Sequence, residues 1–246
     1  MSNKALITII IVIVAACGAA AGLFYWQQTK PLIVTDEDIK QAQEEQAQNN
    51  QTNQQNQPMA QNECVRNFDE NKLKNDKVAI SGRQVEIDVK DFGKIVVEFY
   101  DKDAPKTVEN FLRLTNAGYY DCITFHRVAK GFVIQGGDPT GTGGGGESAF
   151  GGKFADELNA NTPSYKAGYV KGVLAMANSG PGTNGSQFFI MLADNPLPNN
   201  YTIFGKVVSG LDVVDKIGQV QITPQMGPTD GAPVTPVVMQ TVKIIK

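Results

Sequence analysis

Apolar and polar positions fall into three unlike patterns along the 246 residues of this chain. The first is an unbroken apolar run, 22 residues without a charge from Ala5 to Trp26. As a helix it would reach roughly 33 Å, enough for a bilayer core of about 30 Å. The second pattern lacks large apolar side chains almost entirely. Residues 41–62 hold 14 Gln or Asn, too little apolar surface to offset the entropy of ordering, which predicts a disordered tether. From about Val78 the chain becomes globular. Val85, Ile87 and Val89 alternate with polar neighbours, Asp91-Phe92-Gly93 interrupts, and Ile95–Tyr100 resumes, the pattern of a β-hairpin. A helix follows over Ala104–Ala117, with Val108, Phe111, Leu112 and Thr115 on one face. Asp103 is placed to cap it, Pro105 suits its first turn and Gly118 its end. Short strands are predicted at 123–127, 132–135, 172–177, 187–192 and 202–208, then a short helix at 211–217 and a closing strand at 237–245. Many short strands with few helices predict a mainly β fold, a closed or sandwiched antiparallel sheet. Three domains result: residues 1–30 as membrane anchor or signal segment, 31–77 as flexible linker, and 78–246 as the globular part.

Charge changes this picture only at the N-terminus. The whole chain carries 22 basic and 25 acidic residues, a net −3, which gives no electrostatic reason to expect nucleic acid as partner. Lys4 and the N-terminal amine precede the apolar run, while Lys30 is followed by Asp36, Glu37 and Asp38. The positive-inside rule then places the N-terminus in the cytoplasm and the rest outside it, as a single-pass protein of the cell (inner) membrane facing the periplasm. An alternative is a lipoprotein: Val14-Ala15-Ala16-Cys17 is similar to a lipobox, with Cys17 as the lipidation site and Ala5–Ala16 as a signal h-region. The apolar run continues nine residues past Cys17, which favours an uncleaved anchor. On any of these readings Cys64 and Cys122 face an oxidising compartment and can form a disulfide.

Reactive groups are scarce. One histidine and three separated cysteines leave almost no material for a zinc site. Gly141-Thr-Gly143-Gly-Gly-Gly146 has the spacing of a dinucleotide loop, but no strand leads into it and no helix follows. Ser186 lies outside any nucleophile-elbow pattern. His126 reads as a half-buried histidine satisfied by backbone hydrogen bonds. Arg127 stands out more. It shares a stretch with Phe125, Val128, Phe132, Val133 and Ile134, with Gln135 close by, where a guanidinium can serve as a fixed hydrogen-bond fork in a low-dielectric cleft.

Two longer motifs give this arginine a context: Phe125-His-Arg-Val-Ala-Lys-Gly-Phe-Val-Ile-Gln-Gly-Gly-Asp138 and Met176-Ala-Asn-Ser-Gly-Pro-Gly-Thr-Asn-Gly-Ser-Gln-Phe-Phe-Ile190. With Asp103–Phe111 and Phe204-Gly-Lys-Val207, they resemble the cyclophilin-type peptidyl-prolyl cis-trans isomerases over about residues 83–246, and the chain as a whole looks like a bacterial, membrane-anchored, periplasmic member. The resemblance implies an eight-stranded antiparallel β-barrel capped by two helices, with substrate in a groove on its outer surface. It implies rotation about X–Pro bonds of exported proteins, assisting their folding. No cofactor or metal is implied, and the partners would be proline-containing polypeptides bound by a monomer. Arg127 would be the catalytic residue. Phe132, Val133, Phe189 and Leu197 would line the proline pocket, with Gln135, Ala177, Asn178 and Gln187 along the flanking peptide, while Phe125, Phe188 and Phe204 belong to the core. Two positions depart from many family members: a tryptophan that binds cyclosporin is absent from the loop Asn195–Asn200, and Tyr201 stands where histidine is common. The first predicts weak cyclosporin sensitivity; the second leaves an aromatic face in the pocket. An alternative role is a module that binds proline-containing partners without important turnover.

Overall fold

The computed structural model describes residues 64–246. The apolar run, Cys17 and most of the Gln/Asn-rich segment lie outside the described residues, as do the expectations attached to them. Among the described residues no helix is long and apolar enough to cross a membrane.

The segments expected to be extended become strands β1 (Gln84–Val89), β2 (Gly93–Phe99), β3 (Ile123–Ala129), β4 (Val133–Gly136), β5 (Val173–Met176), β6 (Phe188–Met191), β7 (Ile203–Ser209) and β10 (Val237–Ile244). They pair in the order β10-β1-β2-β7-β5-β6-β4-β3, and β3 pairs back to β10. The result is a closed eight-stranded antiparallel barrel. A further hairpin, β8 (Ile222–Gly227) and β9 (Asp230–Pro233), hangs on the second half of β3. That hairpin has no counterpart in the sequence reading. Residues 223–226 of β8 are all exposed, so no apolar alternation marks it.

Inside the barrel, Val85, Ile87, Ile95, Val97, Phe125, Val128, Ile134, Leu174, Met176, Phe188, Ile190 and Phe204 form one core. Two helices close its ends. The first, Pro105–Asn116, buries Val108, Phe111, Leu112 and Leu114. Its Phe111 ring lies 5.5 Å from Phe99 at the end of β2. The second, Leu211–Ile217, buries Val213, Val214 and Ile217, and Val213 packs against Gly93 at the start of β2. Each helix therefore matches one end of the same strand. Asp103 does not cap the first helix, as the sequence had suggested. Its Oδ2 instead accepts from the Ser164 amide at 2.9 Å. The cap comes from Glu157, far off in sequence, whose carboxylate accepts from the Lys106 amide (3.0 Å), the Thr107 amide (2.7 Å) and the Thr107 hydroxyl (2.7 Å).

Residues 64–77 form a strap on the barrel. Cys64 is joined to Cys122, with Cα atoms 5.6 Å apart. The Arg66 guanidinium lies over the Tyr119 ring at 4.7 Å, and Phe68 meets that ring edge-on. A short helix, Glu70–Asn75, follows, capped by Asp69 through the Asn71 and Lys72 amides. Arg113 holds its end by donating to the Leu73 carbonyl at 2.7 Å. A few polar contacts and one cross-link thus order a segment whose composition alone would leave it free.

Candidate active site in an outer cleft

Strand residues alternate between the two faces of the barrel wall. The register of neighbouring strands then carries a second row of side chains outward. Arg127 on β3 pairs with Gln135 on β4, Gln135 with Phe189 on β6, and Phe189 with Ala175 on β5. Further along, Ala129 pairs with Val133 and Val133 with Met191. The apolar members of these rows, with Val173, Tyr169 and Ile203, build a second buried cluster that is separate from the barrel core. Phe132, Ala177, Leu197 and Tyr201 pack around it. The bulge between Phe125 and Arg127 lets Phe125 face the core while Arg127 faces out.

Between these groups lies a cleft of about 240 Å³ lined by Arg127, Phe132, Val133, Gln135, Ala177, Asn178, Phe189, Leu197 and Tyr201. Nine of the ten residues singled out in the sequence meet here. The tenth, Gln187, stands alongside: its Oε1 accepts from Gln135 Nε2 at 3.0 Å, and its own amide donates to the Gly143 and Gly145 carbonyls. It lines a smaller neighbouring cavity of about 100 Å³. Tyr201 is fixed by Tyr169, whose hydroxyl donates to the Tyr201 carbonyl (2.8 Å) and accepts from its amide (3.0 Å). The Tyr201 ring stands edge-on to Phe189 at 5.6 Å. Asn178 is held by Asn200 and Asp156 through its side chain, and among the described residues no backbone partner occupies its own N–H or C=O.

Among the described residues that line the cleft Arg127 is the one cation, and its donors are partly committed. Nη1 donates to Gln135 Oε1 at 2.9 Å. Nε and Nη2 donate to the two carboxylate oxygens of Asp230, at 2.8 and 2.7 Å. Of the five N–H groups of a guanidinium, two remain for a ligand. Asp230 escaped the sequence reading. It lies on the unpredicted hairpin, 103 residues from Arg127, and only the strand register brings the two together.

The glycine-rich loop beside the site encloses a carboxylate of its own chain. Asp138 is buried and accepts from the amides of Thr140 (2.8 Å), Thr142 (3.1 Å), Gly143 (2.7 Å) and Gly145 (3.1 Å). A Cβ on Gly145 would strike the Asp138 carboxylate, so the close approach requires glycine there. Burial pushes the Asp138 pKa up, but the hydrogen bonds from Thr140, Gly145 and Gly143 outweigh it and bring the pKa down to about 2. His126 also corrects the sequence reading: both ring nitrogens are buried without a hydrogen-bond partner. Burial lowers its pKa, against the opposing pull of Asp138. Among the described residues no three His, Cys, Asp or Glu side chains stand together as metal ligands do.

A closed barrel with an apolar cleft headed by an arginine on its outer wall is the architecture to which the comparisons with known proteins attach a family. Residues 84–244 match the family described as cyclophilin type peptidyl-prolyl cis-trans isomerase/CLD. Peptidyl-prolyl cis-trans isomerase CYP18-2 of Arabidopsis thaliana is 53% identical over 130 residues, covering 52% of this chain and 77% of that protein. Peptidyl-prolyl cis-trans isomerase-like 1 of Homo sapiens is 50% identical over 139 residues, covering 56% of this chain and 81% of that protein. A crystal structure of a cyclophilin type isomerase from Cryptosporidium parvum superposes with a TM-score of 0.60 at 36% identity, covering 67% of this chain and 98% of that one. The same parasite protein in the presence of the dipeptide Ala-Pro gives a TM-score of 0.59 at 36% identity, covering 66% of this chain and 99% of that one. The chain belongs to the cyclophilin-type peptidyl-prolyl cis-trans isomerases, and the reaction it catalyses is rotation about the X–Pro amide.

Proposed function

We propose that the cleft around Arg127 is where this rotation is accelerated, and that Arg127 is the catalytic group. The observation that carries this reading is the pairing of two uncommitted guanidinium N–H groups with an apolar pocket in one cleft. Amide resonance sets the uncatalysed barrier at roughly 18–20 kcal/mol. At the top of that barrier the prolyl nitrogen has lost its conjugation and regained a lone pair, which an N–H can meet. In the planar ground states that lone pair is delocalised, so the interaction favours the transition state selectively. Phe132, Val133, Phe189 and Leu197 would hold the proline ring while Gln135, Ala177 and the Asn178 backbone hold the flanking strand; Gln187 steadies Gln135, and Tyr201 closes the pocket. Rotation breaks no covalent bond, so this set of groups suffices. Arg127→Ala is expected to lower kcat/KM on an Ala-Pro peptide by about 100-fold or more. Activity within twofold of wild type would refute the assignment.

The substrates on this reading are exported polypeptides, and the enzyme is a monomer held at a cell membrane with its barrel on the extracytoplasmic side, as in bacterial periplasmic members. Two features support it: the uncharged run Ala5–Trp26 with its flanking charges, and the joined Cys64–Cys122 pair, a bond that persists in oxidising compartments. Protease added to intact spheroplasts is expected to digest the barrel, and carbonate washing to leave the chain in the membrane. A barrel protected from protease would contradict this topology. Intact mass decides between the uncleaved anchor and lipidation at Cys17, the alternative raised by the Val14–Cys17 pattern.

A further inference from the structure

The hairpin β8–β9 meets the barrel at few places. Residues 223–226 face solvent, Ile222 packs against the core, and the contact with β3 runs through Gly231 and Asp230, opposite Val128 and Ala129, and through the Thr229 carbonyl, which accepts from the Lys130 amide at 2.8 Å. Its strands lie so close that a Cβ on Gly231 would strike the Thr223 carbonyl. Asp230 opens β9 directly after the turn at Pro228-Thr229. Arg127 lies two residues before Ala129, hence on the same face and diagonal to Asp230. Gln135 holds Nη1 by a single bond, about which the guanidinium can still tilt. The bidentate carboxylate on the Nε–Nη2 edge fixes its plane. The two side chains retain only 24% and 20% of their exposure, so solvent screens the pair weakly.

We propose that Asp230 is a positioning residue for the isomerisation, holding the Arg127 guanidinium so that its two remaining N–H groups meet the rotating amide. The proposal rests on Arg127 being the catalytic group. The hairpin then serves to deliver one carboxylate to the Nε–Nη2 edge of the arginine from outside the set of residues that line the cleft.

The test is a double-mutant cycle on the full chain, with cis/trans exchange of an Ala-Pro peptide measured for Asp230→Ala, Asp230→Asn and Asp230→Glu, alone and with Arg127→Ala. Asp230→Ala is expected to lower kcat about tenfold with KM within twofold, Asp230→Glu to recover part of the loss, and Asp230→Ala to add nothing once Arg127 is alanine. The arginine Nε–H resonance of Arg127 is expected to be slowly exchanging in wild type and lost in Asp230→Asn; this readout does not depend on turnover. Unchanged or increased kcat in Asp230→Ala, equal losses in both backgrounds, or an Nε–H unaffected by Asp230→Asn would each overturn the proposal while leaving Arg127 in place. A fully active Arg127→Ala would instead overturn the assignment of Arg127 itself.

Discussion

Glu157 and Asp230 meet partners far off in sequence, and Asp138 is enclosed by its own loop. Glu157 closes the first turn of the helix Pro105–Asn116 through three hydrogen bonds. Glu157→Ala is expected to destabilise the barrel by about 1–2 kcal/mol, read as a shift of the urea midpoint without change of slope. Asp138 titrates lower in the folded chain than in the unfolded one, about 2 against 3.8. Its contribution is therefore present above pH 3.8 and is lost as pH falls through about 2. Asp138→Asn is expected to flatten that acid limb in a stability–pH curve. His126 acts in the same sense at higher pH. Its folded pKa lies below the ordinary 6.5, so the unfolded chain takes up a proton first and stability falls as pH drops below 6.5. His126→Phe is expected to remove that slope, and a curve identical to wild type would contradict the buried, unpartnered ring. Glu157 and Asp230 were not legible as partners in the sequence because each bonds across 50 residues or more, and Asp138 was not because only the path of its glycine-rich loop turns the nearby amides onto it. Arg127 and Gln135 were legible because one contiguous motif carries both.

At the scale of elements, alternation marked β1, and short apolar runs between glycine-rich turns marked β3–β7 and β10, each to within one or two residues. In β5 and β6 every position is buried, so the signal there is the run itself, and in both cases it is local. Both the hairpin β8–β9 and the strap Cys64–Lys77 lack it. The first is solvent-facing, and the second is fastened by a disulfide, a cation over a ring and main-chain contacts to Tyr119 and Ala117. Cross-linking residues 58 apart stabilises by about 4 kcal/mol in the loop-entropy account. Reduction, or Cys122→Ala, is expected to expose strap amides to hydrogen exchange while the barrel strands stay protected. Strap amides that remain protected after reduction would show that the non-covalent contacts suffice.

For the molecule as a whole, alternation explains how one thin wall serves two purposes. Inward side chains pack into one buried core, and outward ones form the cleft. Leu197 lines the cleft and no tryptophan is present among the described residues, which predicts weak inhibition by cyclosporin. Inhibition at stoichiometric concentration in a peptide assay would contradict it. The central claim, that this cleft turns over X–Pro bonds through Arg127 and does more than hold them, is tested most directly by exchange NMR. A substoichiometric amount of enzyme is mixed with an Ala-Pro peptide, and cis–trans cross-peaks are recorded alongside the shifts of Phe132, Phe189 and Leu197. The account predicts strong exchange peaks with wild type. With Arg127→Ala it predicts that the peaks vanish while the cleft residues still shift on peptide addition. Exchange that survives in Arg127→Ala would contradict the account, as would a wild type that binds the peptide and produces none.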